Sequence, residues 1–416
     1  MCNLSASSLG LCYPPPYEGI VLAEHIFGNI SLDVFSKTYL NKKHTVLQGA
    51  SRLPDLWNLK ILDDYLNSHE GRLHEFVKGS NDGRPVDIPP TTDREGPTQK
   101  SFIRSALAQG TTFKIAELER RTPVFGAICR EIERVFGGNA VAKFFLTPPA
   151  RKGFSPHFDH ESVFAIQLVG TKCWTIYPRS VVNPKRSMAR LITSEEASEP
   201  IDSFVLAPGD VLYLPPGTPH SAKCEEGASL HVSIGHLAWT PNDVIQFAVN
   251  SLSFVEPAFN APLYSSEPYC GVLLREALNR CIQTLQELNP DESFANFCNS
   301  MNSVRPAVND RGISNLFSLS GLSENSLITL NRSKIIRKTV TDEKLRLYIS
   351  DISNVLQNPE KQSPFLELPK MVEQEIDHIL GLTEPSAIRD LPGVLDVASK
   401  LVLAKELVRN GVLDAI

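Results

Sequence analysis

No two of the eight cysteines are spaced as C-x-x-C, so neither a zinc ribbon nor a thioredoxin-type redox pair is written in the chain. Eight thiols scattered through 416 residues, with no basic-then-apolar leader over Met1 to Tyr17, predict reduced, largely buried cysteines and a cytoplasmic protein. No apolar run approaches the ~18–20 residues that a membrane-crossing helix needs, and no membrane partner is expected. No G-x-x-x-x-G-K-S/T loop occurs, so nucleotide hydrolysis has no support, and Gly137-Gly138 reads as a helix stop. Positive charge is in short supply: 41 Lys and Arg stand against 47 Asp and Glu, a net charge of −6, which argues against a nucleic-acid partner. What the chain does have is 42% hydrophobic and 21% charged residues, a balance that excludes disorder as its main state and supplies a real core.

The text runs helical, then β-rich, then helical. Leu32 to Gln48 reads as a helix followed by an extended stretch. Residues 51–77 carry Leu53, Leu56, Leu59, Leu62 and Leu66 at threes and fours, the spacing of amphipathic helices. Residues 79–100 hold three Gly and four Pro and predict a long loop. Thr111 to Phe136 predicts helix through Ile115, Leu118, Val124, Ile128 and Ile132. From Ala140 to Trp239 the style changes to short apolar runs broken by Pro, Gly and Asp, such as "AVAKFFLT", "VFAIQLVG", "KCWTIYP", "DVLYLP" and "SLHVSIG". Short strands with turn signals between them predict a β-barrel or sandwich. After Trp239 the strands are expected to cease: Asn242–Leu252, Val272–Leu288 and the last 80 residues read as helical, with 299–335 ambiguous.

The chemistry lies in the β-rich block. His157 and Asp159 are two apart, and on a strand such residues share a face. His220 follows sixty-one residues after Asp159, behind the Pro/Gly turn of "PPGTPH". Two imidazoles and one carboxylate on a β scaffold are the donor set of the facial triad that binds non-haem Fe(II) and leaves positions open for a cosubstrate and O2. Lys172, in "QLVGTKCWTIY", lies on a strand flanked by Leu168, Val169 and Trp174. It offers a partly buried cation for the far carboxylate of 2-oxoglutarate, since burying it without such a partner is costly. His160 follows Asp159, faces away from it and is read as a non-ligand.

Residues 140–239 resemble the JmjC-type cupin oxygenases, in particular their ribosomal oxygenase branch. The matching text is "FFLTPPARKGFSPHFDHESVFAIQLVGTKCWTIYP", "VLAPGDVLYLPPGTPHSA" and "SLHVSIGH". The resemblance implies a mainly β core with α-helical flanks, a double-stranded β-helix (JmjC/cupin jelly roll) followed by helical dimerisation and winged-helix-like C-terminal regions. It divides the chain into an oxygenase domain over 1–240 with its core at 140–239, a dimerisation region over 241–335 and a winged-helix-like domain over 336–416. It implies Fe(II), 2-oxoglutarate and O2, with the metal on His157, Asp159 and His220. It puts the cosubstrate on Lys172 and Ser233, with His231 beside Ser233 on the same strand face. The sequence departs from the family at two positions: Phe145 and Lys143 stand where members with a lysine in this role often carry Tyr and Asn, and Phe145 cannot donate a hydrogen bond.

The function this implies is hydroxylation of a protein or peptide side chain, with ribosomal-protein arginine or histidine favoured, by a homodimer. Two other expectations compete with it. One is a tailoring hydroxylase of a biosynthetic peptide or carrier-bound amino acid. The other is a metal-binding cupin scaffold without turnover.

Overall fold

The computed structural model describes residues 23–416 apart from 82, 91–96, 150, 152–154, 180, 194, 198, 264–269, 288, 304, 307–311 and 351–364. Among the described residues no helix is long and apolar enough to cross a membrane. The chain divides into two compact units: residues up to 131 with 140–236, and residues 132–139 with 237–416.

The first unit begins with helices that cap themselves. In α1 (Leu32–Thr38) the Ser31 hydroxyl accepts from the Val34 N–H. After β1 (Thr45–Leu47) and the single turn α2 (Leu53–Leu56), Asn58 caps α3 (Leu59–Ser68), whose inner face buries Leu62, Tyr65 and Leu66. Then come α4 (Leu73–Phe76), strands β2 (Val77–Asn81) and β3 (Arg84–Asp87), and α5 (Gln99–Ala108), capped by Thr98. Strand β4 (Thr112–Ile115), the turn α6 (Leu118–Arg121) and α7 (Pro123–Phe136) lead into the β-rich part.

Nine strands follow: β5 (Asn139–Thr147), β6 (His157–Phe158), β7 (Ser162–Val169), β8 (Lys172–Ile176), β9 (Arg190–Leu191), β10 (Asp202–Leu206), β11 (Val211–Leu214), β12 (His220–Lys223) and β13 (Ser229–Leu237). They form two antiparallel sheets. The large one runs β1-β11-β7-β13-β5-β4-β2-β3 and the small one β10-β8-β12-β6-β9. From β5 to β8 and again from β10 to β13 consecutive strands alternate between the sheets, a sandwich as the β-rich text predicts and a jelly roll as the family resemblance implies. The apolar core between them includes Val163, Ala165 and Leu212 from the large sheet and Trp174, Ile176 and Leu206 from the small one. Behind the large sheet an aromatic cluster of Phe35, Phe164 and Tyr213 has ring centroids 4.9–5.9 Å apart.

Two expectations for this unit need correction. Residues 79–100 are not one long loop, because β2 and β3 pair as an antiparallel hairpin from Lys78↔Asp87 to Asn81↔Arg84; residues 82 and 91–96 lie outside the described set. Thr111–Phe136 is not one helix. Thr112–Ile115 is hydrogen-bonded between β2 and β5, burying Phe113 and Ile115 on one face. A four-residue strand beside a helix adds apolar residues that also fit the helical period, and only pairing separates the two.

In the second unit, α8 (Pro241–Val255) starts in a capping box between Thr240 and Asp243. It is followed by α9 (Cys270–Glu287), α10 (Pro290–Ser303) and α11 (Gly312–Ser318). Strands then return, contrary to the helical reading: β14 (Leu327–Leu330), β15 (Ile336–Val340), β16 (Lys344–Ile349), β17 (Phe365–Pro369), β18 (Ser386–Ala387) and β19 (Leu413–Ala415), with helices α12 (Glu373–Leu380) and α13 (Val397–Arg409) among them. They make two three-stranded sheets, β18-β14-β19 and β15-β16-β17. The reason is visible in β16, where Leu345, Leu347 and Ile349 are buried and Lys344, Arg346 and Tyr348 are not. Their core joins Ile328, Leu345, Leu347 and Ile376 to Leu403 and Leu407 of α13.

Candidate active site

The six residues singled out above, His157, Asp159, His220, Lys172, Ser233 and His231, line one cavity of about 200 Å³ in the first unit. The two sheets divide the work. The small sheet contributes His157 from β6, Lys172 and Trp174 from β8 and His220 from β12. The large sheet contributes Lys114 from β4, Lys143 and Phe145 from β5, and His231, Ser233 and Gly235 from β13.

His157 and His220 are direct cross-strand partners, which brings two residues sixty-three apart into one row, with rings 4.6 Å between centroids. Asp159 follows β6. Its Oδ2 lies 3.9 Å from His157 Nε2 and 3.8 Å from His220 Nε2, and one donor atom from each of the three falls within 4.8 Å of the others. Both imidazoles are oriented from behind. His157 Nδ1 is 2.8 Å from the Ser155 carbonyl and His220 Nδ1 is 3.0 Å from the Thr218 carbonyl. A carbonyl only accepts, so each Nδ1 carries the proton and each Nε2 presents a lone pair towards Asp159. Burial and the neighbouring His157 push the His220 pKa down to about 4, so it is neutral and able to ligate at neutral pH. The donor set therefore fits a divalent transition metal with open positions.

The turn that delivers His220 depends on Gly217. Its φ is +75°, a side chain there would meet the Val181 carbonyl at 2.1 Å, and its N–H donates to the Asp159 carbonyl at 2.8 Å. That bond ties the third ligand's turn to the second ligand's backbone.

Lys172 is only 2% exposed. Its Nζ donates to Thr147 Oγ1 at 3.0 Å and lies 3.3 Å from His231 Nδ1. Among the described residues no carboxylate pairs with it, and burial lowers its pKa to about 7. An ammonium has three N–H groups, so Thr147 and His231 leave one for a ligand. Lys172, Trp174 and Ile176 share the inner face of β8, and Ile176 is the cross-strand partner of His220. Four residues of strand put Lys172 about 13 Å along the sheet from the histidine row. Trp174 fills the interval, with its ring 5.7 Å from His220 and 5.5 Å from His231. Its indole N–H is buried without a hydrogen-bond partner among the described residues.

His231 is stacked on Phe145 at 5.0 Å with the planes 9° apart. Burial, Lys172 and His220 together hold its pKa well below the ordinary value, so its Nδ1 is an acceptor for the lysine. Ser233 is half-buried on the same cavity wall. His160 is not part of this donor cluster.

Three polar or aromatic cavity residues, Glu161, Trp174 and Lys114, escaped the sequence reading, as did Thr147, which holds Lys172. Thr147 was signalled by its place two residues beyond Phe145 on the same strand face. Glu161, two residues past Asp159, pairs with Lys143 at 3.1 Å. Trp174 was noted only as a flank of Lys172. Lys114 was hidden by the assignment of its segment to a helix.

Comparison with known proteins follows this geometry. Residues 120–244 match the JmjC domain. Human ribosomal oxygenase 1 is 36% identical over 196 residues, covering 46% of this chain and 29% of that protein. A Dictyostelium discoideum bifunctional lysine-specific demethylase and histidyl-hydroxylase NO66 is 29% identical over 239 residues, covering 55% of this chain and 45% of that one. The chain thus spans less than half the length of these curated relatives. Among solved structures, the Escherichia coli protein ycfD superposes with a TM-score of 0.58 at 16% identity, covering 95% of this chain and all of that one. The structure of YcfD described as a ribosomal oxygenase in complex with cobalt and 2-oxoglutarate gives 0.55 at 16% identity, over 94% and 99%. The JmjC match falls on the jelly-roll part of the first unit that carries the His157/Asp159/His220 cluster. Proteins named as ribosomal oxygenases are among the relatives the chain matches both in sequence and in fold.

Proposed function

We propose that the protein is an Fe(II)- and 2-oxoglutarate-dependent oxygenase that hydroxylates a side chain of a protein or peptide and releases succinate and CO2. The observation that carries this reading is one cavity with two complementary ends: an oriented His157/Asp159/His220 donor set, and a buried Lys172 without a carboxylate partner. His157, Asp159 and His220 hold the metal. Lys172 receives the far carboxylate of 2-oxoglutarate, Thr147 and His231 hold the lysine in place, and Ser233 contributes a hydroxyl on the facing wall. The bound iron supplies the oxidising chemistry with O2 and the cosubstrate, while the protein orients the partners and excludes water. By likeness to the relatives above, the substrate is a ribosomal protein, with arginine or histidine the target that the family resemblance in the sequence favours.

The chain would work as a homodimer. Val272, Leu274, Leu278 and Ile282 on α9 are 50–53% exposed, an apolar stripe in the region 241–335 assigned to association. Residues 336–416, with their small sheets, serve as a packing module rather than a nucleic-acid reader. Among the described residues Cys129, Cys173, Cys224, Cys281 and Cys298 are free, in keeping with a cytoplasmic setting.

Purified protein supplied with Fe(II), ascorbate and 2-oxoglutarate tests the reading. Succinate formation together with a +16 Da species in ribosomal extract supports it. A +16 Da species confined to a metabolite pool would favour the tailoring reading. Metal binding with background succinate would leave only the scaffold.

A further inference from the structure

The cavity mouth carries more positive charge than the cofactor chemistry uses. With a divalent metal on the triad and a dicarboxylate on Lys172, the metal, Asp159, the cosubstrate and that lysine cancel. Lys114, Lys143 and Glu161 remain, with one net positive charge. Lys143 is paired with Glu161 at 3.1 Å. Glu161 is pressed against β13 so closely that a side chain at Gly235 would meet its Oε1 at 2.3 Å. Lys114 has no ion pair or hydrogen bond among the described residues. It sits directly across from Phe145 in the β4/β5 ladder, diagonal to Lys143 and on the same face. Burial and the Lys143 charge both lower its pKa, against the opposing pull of Asp159 and Glu161, so two ammonium groups crowd a site whose ion pair between Lys143 and Glu161 leaves Lys114 out.

From this placement we infer that Lys114 and Lys143 read a carboxylate on the substrate, next to the residue that is hydroxylated, and that the same pair rejects arginine as the target. The inference rests on the oxygenase reading and deepens it: of the two favoured target residues it selects histidine, in an acidic context. A substrate carboxylate relieves the repulsion between the two lysines. A guanidinium adds to it and can be met only by breaking the Lys143–Glu161 pair.

The test is binding of short peptides to the full chain, both metal-free and loaded anaerobically with Fe(II) and 2-oxoglutarate. The probes are acetylated, amidated Asp-His, Asn-His and Asp-Arg dipeptides, and Asn-His with a free C-terminal carboxylate. The expected result is that Asp-His binds about tenfold more tightly than Asn-His and Asp-Arg. Lys114→Met should bring the Asp/Asn ratio close to one and Lys114→Arg should keep it. The free-carboxylate dipeptide shows whether a chain terminus serves as well as an acidic side chain. A ratio near one in the wild type, a ratio unmoved by Lys114→Met, equal binding of Asp-Arg, or no binding at millimolar peptide overturns the inference. So does a weakened 2-oxoglutarate affinity in Lys114→Met, which would assign the lysine to the cosubstrate. Should Lys114→Met fail to fold, screening of the wild-type Asp/Asn ratio by salt carries the test, and a salt-independent ratio counts against it. These readouts do not depend on turnover, so absent succinate formation would overturn the oxygenase reading separately.

Discussion

Lys172 on the small sheet donates to Thr147 on the large sheet at 3.0 Å. This bond crosses the jelly roll at the end away from the metal-ligand row, and it aims the ammonium at the space a cosubstrate would occupy. Removing the charge costs more than removing its support. A hydrogen bond to a charged group is worth about 1.5–3 kcal/mol, or roughly 10–100-fold. Lys172→Met should therefore raise the KM for 2-oxoglutarate by about 100-fold, and Thr147→Val by about tenfold. Steady-state succinate assays measure both, and an unchanged KM in Lys172→Met would remove the lysine from the cosubstrate site.

The same lysine makes stability depend on pH. Its folded pKa is about 7 and its ordinary value 10.5, so between these the unfolded chain binds the extra proton. Stability of the metal-free protein should rise with pH across that window. Below it the penalty for burying the charge is present in full. Urea midpoints of wild type and Lys172→Met should differ most, in favour of Met, at or below pH 7, and the gap should close towards pH 10. Parallel pH profiles would contradict this.

Metal affinity should follow the three ligands. His220→Ala removes an imidazole already neutral at working pH, and loss of cobalt(II) binding should exceed the ~10–100-fold typical of removing an outer partner. Visible absorption of the cobalt(II) protein reads this directly. His160→Ala should leave the spectrum unchanged.

Two glycines separate a rigid neighbour from a yielding one. At Gly217 an added side chain meets the Val181 backbone at positive φ, so Gly217→Ala should cost about 2 kcal/mol or more and weaken metal binding. At Gly235 the obstacle is the end of the flexible Glu161 side chain. Gly235→Ala should keep stability within about 1 kcal/mol while breaking the Lys143–Glu161 pair. Chemical denaturation distinguishes them, and equal losses would refute the distinction.

Much of the site could be read from the chain because it is written locally. The H-x-D pair, the turn before His220 and the apolar flanks of Lys172 are short-range signals, and the residues they point to, His157, Asp159, His220 and Lys172, all line the cavity. Where the reading failed, the signal was nonlocal. Thr112–Ile115 fits a helical period by count and is a strand only because β2 and β5 flank it. The strands after Ile328 are brief, and some, such as Ser386–Ala387, have no pattern of their own beyond the partner they pair with.

The sequence by itself determined which donor groups are present, the alternation that turns them to one face, and the barrel-or-sandwich character of the β-rich block, because side-chain chemistry and periodicity are properties of neighbouring residues. Only the tertiary structure decided that His157 stands opposite His220, that Thr147 and His231 hold Lys172, and that Lys114 comes beside Lys143. Those relations are set by strand register between segments far apart in the chain, where packing and hydrogen bonding, not local preference, choose the partner.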